Sequence, residues 1–471
     1  MKSRLIYFTI AAAAMILGSC KKYLEVQPQD KYTEGQVFLN EYAVQQALNG
    51  IYDNMAANSL YGAQLTTTVI EMLGQRYNTA SYAGITGIQY FQQYNYTQAT
   101  SLAIIESIWT SAYSNILQAN QFIQQIDVAA KNGVLPAAHA AELKGEAIGL
   151  RALMHFDLLR LFGPVMKTAP TSAAIPYYRN ANAATQPILN ATQVVDSVLD
   201  DLNTAKTLLA ADPVITSGPD TASIDFYAGN RNQRFNYYAV IALQARVYLY
   251  EGDNTDANAT AKAALPAFDQ WFPWMAYTDI VNNVNPNRIF SPEVIFGVYN
   301  QDMYLNYNLY FSPALASNQI ITAFPARLTA VFESNNNDYR YPTTWITGAG
   351  GPTFYKYADL TDATKQWRFF QPLMRKSELY YILAETEPVA ANGINYLNTV
   401  RNNRGLTNLS PSAALTAEIQ KEYQKEFWGE GQIFYYYKRN ALASVPSALN
   451  GTGTVVPVYV VPLPLSETTP R

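Results

Sequence analysis

The sequence predicts a mainly α-helical protein whose helices pair tightly and are joined by long, aromatic-rich loops. Three observations carry that expectation. Leu143, Ala147, Leu150, Met154, Leu158 and Leu161 recur at spacings of three and four residues, the period of one helix face. Residues 236–250 and 255–265 keep a helical pattern on either side of Glu251-Gly252-Asp253-Asn254, as two helices joined by a tight turn require. Residues 61–99, 164–190, 212–232 and 268–371 lack that period and are rich in Asn, Gly, Pro, Thr and aromatics. Loops of such length are functional or disordered, and their aromatic content favours ordered, ligand-facing loops.

Taken in chain order, Lys2 and Arg4 precede an apolar run from Leu5 to Leu17, so residues 1–19 read as a processing signal. The run is shorter than the roughly 20 apolar residues of a permanent span. Leu17-Gly18-Ser19-Cys20 matches the bacterial lipobox, in which the cysteine thiol receives a diacylglycerol. Cys20 is the single cysteine, so its acylation leaves no thiol for a disulfide, a metal or a nucleophile. The mature chain is expected to be residues 20–471.

Helices are expected over 40–57, 102–128, 143–162 and 193–211, with Gly163 offering a left-handed C-terminal residue and Pro164 ending the ladder. In the 236–265 unit, Ala257, Ala259, Ala261 and Ala264 let two axes approach while Tyr248 and Leu249 fill the groove, a tetratricopeptide-like hairpin. Asn254 or Thr255 is the expected N-cap there. Val294–Tyr299 reads as a short strand inside the loop-rich insert, about 268–371. Residues 375–391 and 394–404 suggest a further hairpin, and 413–428 a last helix.

Removing residues 1–19 takes away two basic residues and no acidic one, so the formal net charge falls from −4 to −6. A mildly acidic chain without a basic stripe argues against a nucleic-acid partner. The length exceeds that of a usual single core, so two domains or a repeat array are expected. Charged residues make up only 14% of the chain while tyrosines number 36, a composition suited to presenting amphipathic rings at binding surfaces.

Catalysis finds little support. Glu422, Glu426 and Glu430 stand at successive helical spacings and could be glycosidase carboxylates, but Lys421 and Lys425 beside them read as a solvated ion-pair face. His139 and His155 are the only histidines, too few for a zinc cluster, and His155 reads as a packed or capping residue. Asp253-Asn254-Thr255-Asp256 lacks the pattern of a calcium loop. No metal or cofactor is expected. Trp271 and Trp274 around Pro273 read as a packed turn, and Trp109 as core.

The binding signal is aromatic and amide-rich. Arg76, Tyr77, Asn78, Tyr82, Tyr90 and Tyr94 fall within one loop, followed later by Tyr304, Tyr307, Tyr310 and Trp345. Sugar rings present apolar C–H faces and equatorial hydroxyls, which aromatic faces flanked by Asn, Gln and Arg donors match; peptides would match them too.

Several segments resemble a known family in an ordered series. Cys20-Lys21-Lys22-Tyr23-Leu24-Glu25-Val26-Gln27-Pro28 is similar to the start of mature SusD/RagB lipoproteins. Asn120 on the 102–128 helix follows, then Glu146, Arg151-Ala152-Leu153, Phe156-Asp157-Leu158 and Phe162-Gly163-Pro164. Pro292-Glu293-Val294-Ile295-Phe296, Asn337-Asp338-Tyr339-Arg340, Tyr355-Lys356-Tyr357, Glu378-Leu379-Tyr380, Leu397-Asn398-Thr399-Val400-Arg401 with Gly405, and the stretch 422–439 complete it. Met166 stands where the family often has a second proline, and Lys21-Lys22 where many surface-exposed relatives are acidic.

The resemblance implies a SusD-like fold of four tetratricopeptide-like helix pairs with a loop-rich part carrying the ligand contacts. It further implies a non-catalytic outer-membrane lipoprotein that captures an oligosaccharide or polysaccharide for a SusC-like TonB-dependent transporter. A peptide-capturing member of the same family and a glycan-degrading lipoprotein are the alternatives. It also puts Glu426 and Glu430 in a segment that packs the last helix onto the array.

Overall fold

Asparagine and aspartate side chains start four of the long helices of this protein. A computed structural model describes residues 38–84, 87–182, 184–281, 284–449 and 452–469; the expected signal and Cys20 lie outside the described residues. Nine helices of eleven residues or more occur among the described residues: α1 (Glu41–Met55), α2 (Ala99–Lys131), α3 (Ala137–Phe162), α4 (Ala191–Leu208), α5 (Tyr237–Glu251), α6 (Asn254–Trp271), α7 (Lys376–Thr386), α8 (Ala390–Asn402) and α9 (Leu415–Glu426). Asn40, Asn190, Asn236 and Asp253 each accept a hydrogen bond from the backbone N–H three residues on, satisfying a donor that the helix leaves open. Asn190 and Gln193 form a full capping box.

Two local expectations are corrected. The N-cap of α6 is Asp253 rather than Asn254 or Thr255, and the helix continues past 265 through Pro266 to Trp271. Gly163 ends α3 in an extended conformation (φ −70°, ψ 171°), not a left-handed one, because the chain leaves directly towards Pro164. The left-handed glycine is Gly252 (φ 97°), which turns α5 into α6.

Each of α1 to α8 packs on the next in sequence, and α9 packs on both α7 and α8, so the helices form one continuous array. Ala257, Ala261 and Ala264 of α6 are buried, whereas Ala259 faces solvent. Arg151 on α3 grips Asp201 on α4 with two hydrogen bonds of 2.7 Å and reaches Asn120 on α2 at 2.8 Å, which ties three helices together. Arg231 likewise joins Glu146 on α3 at 2.5 Å to Asp212 at 2.8 Å.

The expected strand Val294–Tyr299 is present and pairs antiparallel with Phe370–Arg375, Val294 opposite Arg375 and Tyr299 opposite Phe370. Its apolar run is buried but for Tyr299. At Gly297 an added Cβ would meet the Gln371 carbonyl at 2.5 Å, so only glycine allows this approach. The ribbon closes residues 300–369 into an excursion that returns to the array, since Arg375 caps α7.

Contrary to the expected solvated face, Glu422, Glu426 and Glu430 are buried in an ionic network. Glu426 accepts from Arg375 at 2.5 Å, Arg404 at 2.6 Å and Arg340 at 3.0 Å. Glu422 accepts from Arg340 and Arg401, both at 2.8 Å, and Glu430 from Arg375 at 2.8 Å and from Lys356. Arg404 also meets Glu293 at 2.5 Å, and Arg340 meets Asp338 at 2.7 Å. Only Lys421 keeps the expected exposed character, beside Glu333 and Glu418. These guanidinium groups come from segments distant in sequence, which the spacing along α9 cannot reveal.

Burial alone would raise the Glu422 carboxyl, but Arg340, Lys425 and Arg401 hold it at about 2 against an ordinary 4.5. A carboxylate depressed in the folded state contributes fully above about pH 4.5 and loses that contribution as pH falls towards about 2, on the order of 3 kcal/mol. Urea unfolding between about pH 5 and about pH 2 is therefore expected to show a falling free energy; a flat profile across that window contradicts it. Glu426→Gln, which leaves three buried arginines short of a charge, is expected to lose about 3–5 kcal/mol at neutral pH in the same assay. A loss below about 1 kcal/mol would show that Glu426 is not the hub.

Candidate ligand-binding surface

The aromatic loop expected to bind ligand begins in the core and ends on the surface. Arg76 and Tyr77 are 1% and 0% exposed. The Tyr77 ring lies 5.3 Å from Phe311, 6.0 Å from Trp428 and 6.4 Å from Trp345, and the Arg76 guanidinium sits 3.3 Å over the Trp428 ring. Arg76 also bonds Glu71 at 3.2 Å and the Gln424 carbonyl at 2.6 Å. Trp345, 5% exposed, belongs to the same cluster. Three of the expected contact residues are thus brought together, but as an internal aromatic cluster rather than a platform. Large rings bury the most apolar area, and here the loop uses them as anchors.

Past this anchor the chain surfaces. The Asn78 N–H donates to the Thr322 carbonyl at 2.7 Å and the Ala83 N–H to the Asn318 carbonyl at 2.8 Å. Thr322 in turn bridges to Thr353, in the hairpin of strands Trp345–Gly348 and Gly351–Phe354. Residues 78–83, 318–322 and the hairpin therefore share one edge. Asn78 and Tyr82 are half-buried on it. A Cβ at Gly84 would lie 2.1 Å from the Tyr82 ring, so the loop folds across that ring. Tyr310 is also half-buried, and burial together with the neighbouring Tyr82 raises its hydroxyl pKa. Ile346, on the hairpin, is 37% exposed, an apolar contribution with no motif or period to announce it.

Gln92, also from this loop, is internal: its amide nitrogen donates to the Tyr77 carbonyl and its amide oxygen accepts from Thr79, clamping the loop's two limbs. Tyr90 is half-buried on the short helix Gln89–Gln92. Tyr94, with φ 52°, is half-buried and donates to the Leu73 carbonyl at 3.0 Å. Tyr304 is 8% exposed, stacks 5.0 Å from Phe369 and donates to the Arg368 carbonyl. It lies on the helix Met303–Tyr310, whose far end carries Tyr310, so about 10 Å of helix separates it from the Tyr82 edge. Asn78, Tyr82, Tyr90 and Tyr94 keep solvent-accessible surface; Arg76, Tyr77, Tyr304 and Trp345 do not present a face.

The groups weighed for chemistry are otherwise engaged. His155 is fully buried, with Nδ1 2.9 Å from the Arg151 carbonyl and Nε2 accepting from the Tyr178 N–H at 3.1 Å. Burial pushes its pKa down to about 3, so it is neutral. Glu422, Glu426 and Glu430 are locked in the ionic network. Among the described residues no group of three or more His, Cys, Asp or Glu is placed to hold a metal, and no helix is long and apolar enough to cross a membrane.

Comparison with known proteins places this geometry. A family profile described as starch-binding, associating with the outer membrane, matches residues 22–249, and the SusD family profile matches residues 300–454. A SusD-like protein of Formosa agariphila is 26% identical over 268 residues, covering 56% of this chain and 46% of its own length. A SusD-like protein of Bacteroides ovatus is 21% identical over 212 residues, covering 44% of this chain and 34% of its own length. The aligned stretch thus spans less than half of either relative. A SusD superfamily structure from Bacteroides thetaiotaomicron superposes with TM-score 0.69 at 22% identity, over 91% of this chain and 97% of that one. A laminarin-binding SusD-like protein superposes with TM-score 0.65 at 18% identity, over 91% and 97%. With the sequence profiles of this family matching it in succession and its structures sharing its helical fold, the chain belongs to the SusD/RagB family.

Proposed function

We propose that this protein is a non-catalytic glycan-binding lipoprotein of the outer membrane that passes its ligand to a SusC-like TonB-dependent transporter. One observation carries the reading: the docking of residues 78–83 on 318–322, which sets Asn78, Tyr82 and Tyr310 on one solvent-facing edge. Aromatic faces beside an amide match the C–H faces and hydroxyls of a sugar. Tyr90 and Tyr94 extend the accessible aromatic surface of the same loop. The family profile described as starch-binding and the laminarin-binding structural neighbour support the glycan class.

The non-catalytic reading is supported by the three carboxylates of 422–430, which are buried and charge-paired instead of facing a cleft. The anchor rests on the lipobox at Cys20 and the outer-membrane association in the family description. Domain organisation follows: a signal over 1–19 and one SusD-like unit over 20–471, with the 268–371 insert carrying part of the binding edge.

Affinity measured against a panel of polysaccharides and peptides tests the ligand class, with binding to a glycan expected and binding to peptides alone contradicting it. Tyr82→Ala is expected to weaken the bound glycan at least about fivefold while changing folding stability by about 1 kcal/mol or less. Tyr77→Ala and Trp345→Ala, which remove core rings, are expected to cost about 3–5 kcal/mol of stability. If Tyr82→Ala and Tyr90→Ala both keep full affinity, the edge is not the site. Cys20→Ala is expected to move the protein from the membrane to the soluble fraction, since lipid chains supply the attachment; tight retention after a high-salt wash would contradict a lipid anchor.

A further inference from the structure

A second concavity lies away from the Tyr82 edge, between the 219–233 loop, residues 271–279 and 287–292, and residues 366–370, with an open volume of about 460 Å³. Ligand sites typically enclose roughly 300–1,000 Å³. Trp271 and Trp367 both line it and both are half-buried, so each offers part of a ring to the cleft. Amides of Asn230, Asn232 and Gln233 and the carboxylates of Asp220 and Asp279 supply polar groups, and among the described residues no Lys, Arg or His lines it.

Two residues that line it each carry a buried polar atom with no partner among the described residues. Asn232 is 6% exposed and its Oδ1 accepts no hydrogen bond; the buried Nε1 of Trp367 donates none. Leaving a buried acceptor and donor unpaired is costly, and a ligand in the cleft that carries both a donor and an acceptor would satisfy them.

The walls are held in place. Trp271 packs against the hydrophobic core, and a Cβ at Gly218, where φ is +68°, would come within 2.8 Å of the Trp271 ring. Gln366 donates across the rim to the Thr221 carbonyl. Asn230 and Gln233 also line a neighbouring hollow of about 360 Å³ that includes Asn49 and Phe226, so a linear ligand can continue past them.

We propose that this cleft is a second glycan-binding site that takes a neutral pyranose unit of an oligosaccharide. Its apolar C–H faces pack on Trp271 and Trp367, and its hydroxyls donate to Asn232 and accept from Trp367. The carboxylates of Asp220 and Asp279 select against sulfated, phosphorylated and uronic acid units. This site shares the glycan chemistry of the surface around Tyr82 but none of its residues.

The test is a titration of the full-length protein with neutral hexaoses of β-1,3-, β-1,4- and α-1,4-linked glucose and of β-1,4-linked mannose and xylose. A heparin-derived hexasaccharide is the anionic control. Crystals soaked with the same sugars form a second arm. The expected result is that Trp367→Ala and Asn232→Leu each weaken one class of bound neutral hexaose at least about fivefold and leave Tyr82-dependent binding intact. Sugar density is expected between Trp271 and Trp367. Melting temperature checks each variant, and wild-type crystals decide the matter if either variant fails to fold. Absence of sugar density in the cleft, affinity indifferent to both substitutions, or preference for the anionic hexasaccharide would overturn the proposal. Binding lost in Tyr82→Ala but untouched in both cleft variants removes this site and leaves the first; the reverse pattern upholds the cleft and removes the first.

Discussion

Glu426 and the arginines around it are the constraint on which the loop-rich half of this protein depends. Arg340 comes from the 300–369 excursion, Arg375 from the ribbon, Arg404 from beyond α8 and Glu426 from the end of α9. Four separate stretches of chain must therefore arrive together before any charge is compensated. Buried ion pairs pay heavily in desolvation and add little net stability over apolar packing, but removing one partner leaves an uncompensated charge. Such a network works as a register: it penalises every arrangement in which one segment is misplaced. Glu426 is held well below its ordinary range because, against the effect of burial, Arg404, Arg375 and Arg340 all favour its charged form.

That register sets the floor on which the proposed binding edge is built. Trp428 follows α9 by two residues and meets Trp345 edge-on at 4.6 Å, with Tyr77 packed against both. The loop can then surface at Asn78 in a defined place, because its preceding residue is fixed in the core. Tyr82 and Tyr310 are presented by backbone hydrogen bonds to the 318–322 segment rather than by their own side-chain partners. If a ligand binds there as proposed, a surface framed by backbone hydrogen bonds lowers the ordering cost of binding.

Legibility divided along the same line. The long helices, the α5–α6 hairpin and the strand Val294–Tyr299 were all readable, because period and breakers act within a few residues of one another. Motif residues that carry the family resemblance turn out to hold the scaffold: Asn120 and Arg151 join α2 to α3, Glu146 receives Arg231, and Glu293 receives Arg404. In the aromatic loop proposed to bind ligand, which residues are buried and which reach the surface was not legible. Tyr77 and Tyr82 look alike in sequence, separated by Asn78-Thr79-Ala80-Ser81 with no period to tell inside from outside. Gln92, in the same loop, bonds Tyr77 and Thr79 internally. Trp271, read as part of a packed turn, packs on the core beside Gly218 and still lines an open cleft.

By itself the sequence determined the helical class, the positions of the long helices, the lipobox at Cys20 and the richness of its loops in rings and amides. These are local properties, encoded in spacing and residue type over short stretches. Only the tertiary structure decided that Glu422 and Glu426 are buried, that Tyr77 and Trp345 are core, and that Tyr82 and Tyr310 share an edge. Each of those outcomes depends on a partner drawn from a distant part of the chain, as Arg340 is to Glu422 and Asn318 to Ala83. Burial is a relation between such segments, and no pattern along a single segment records it.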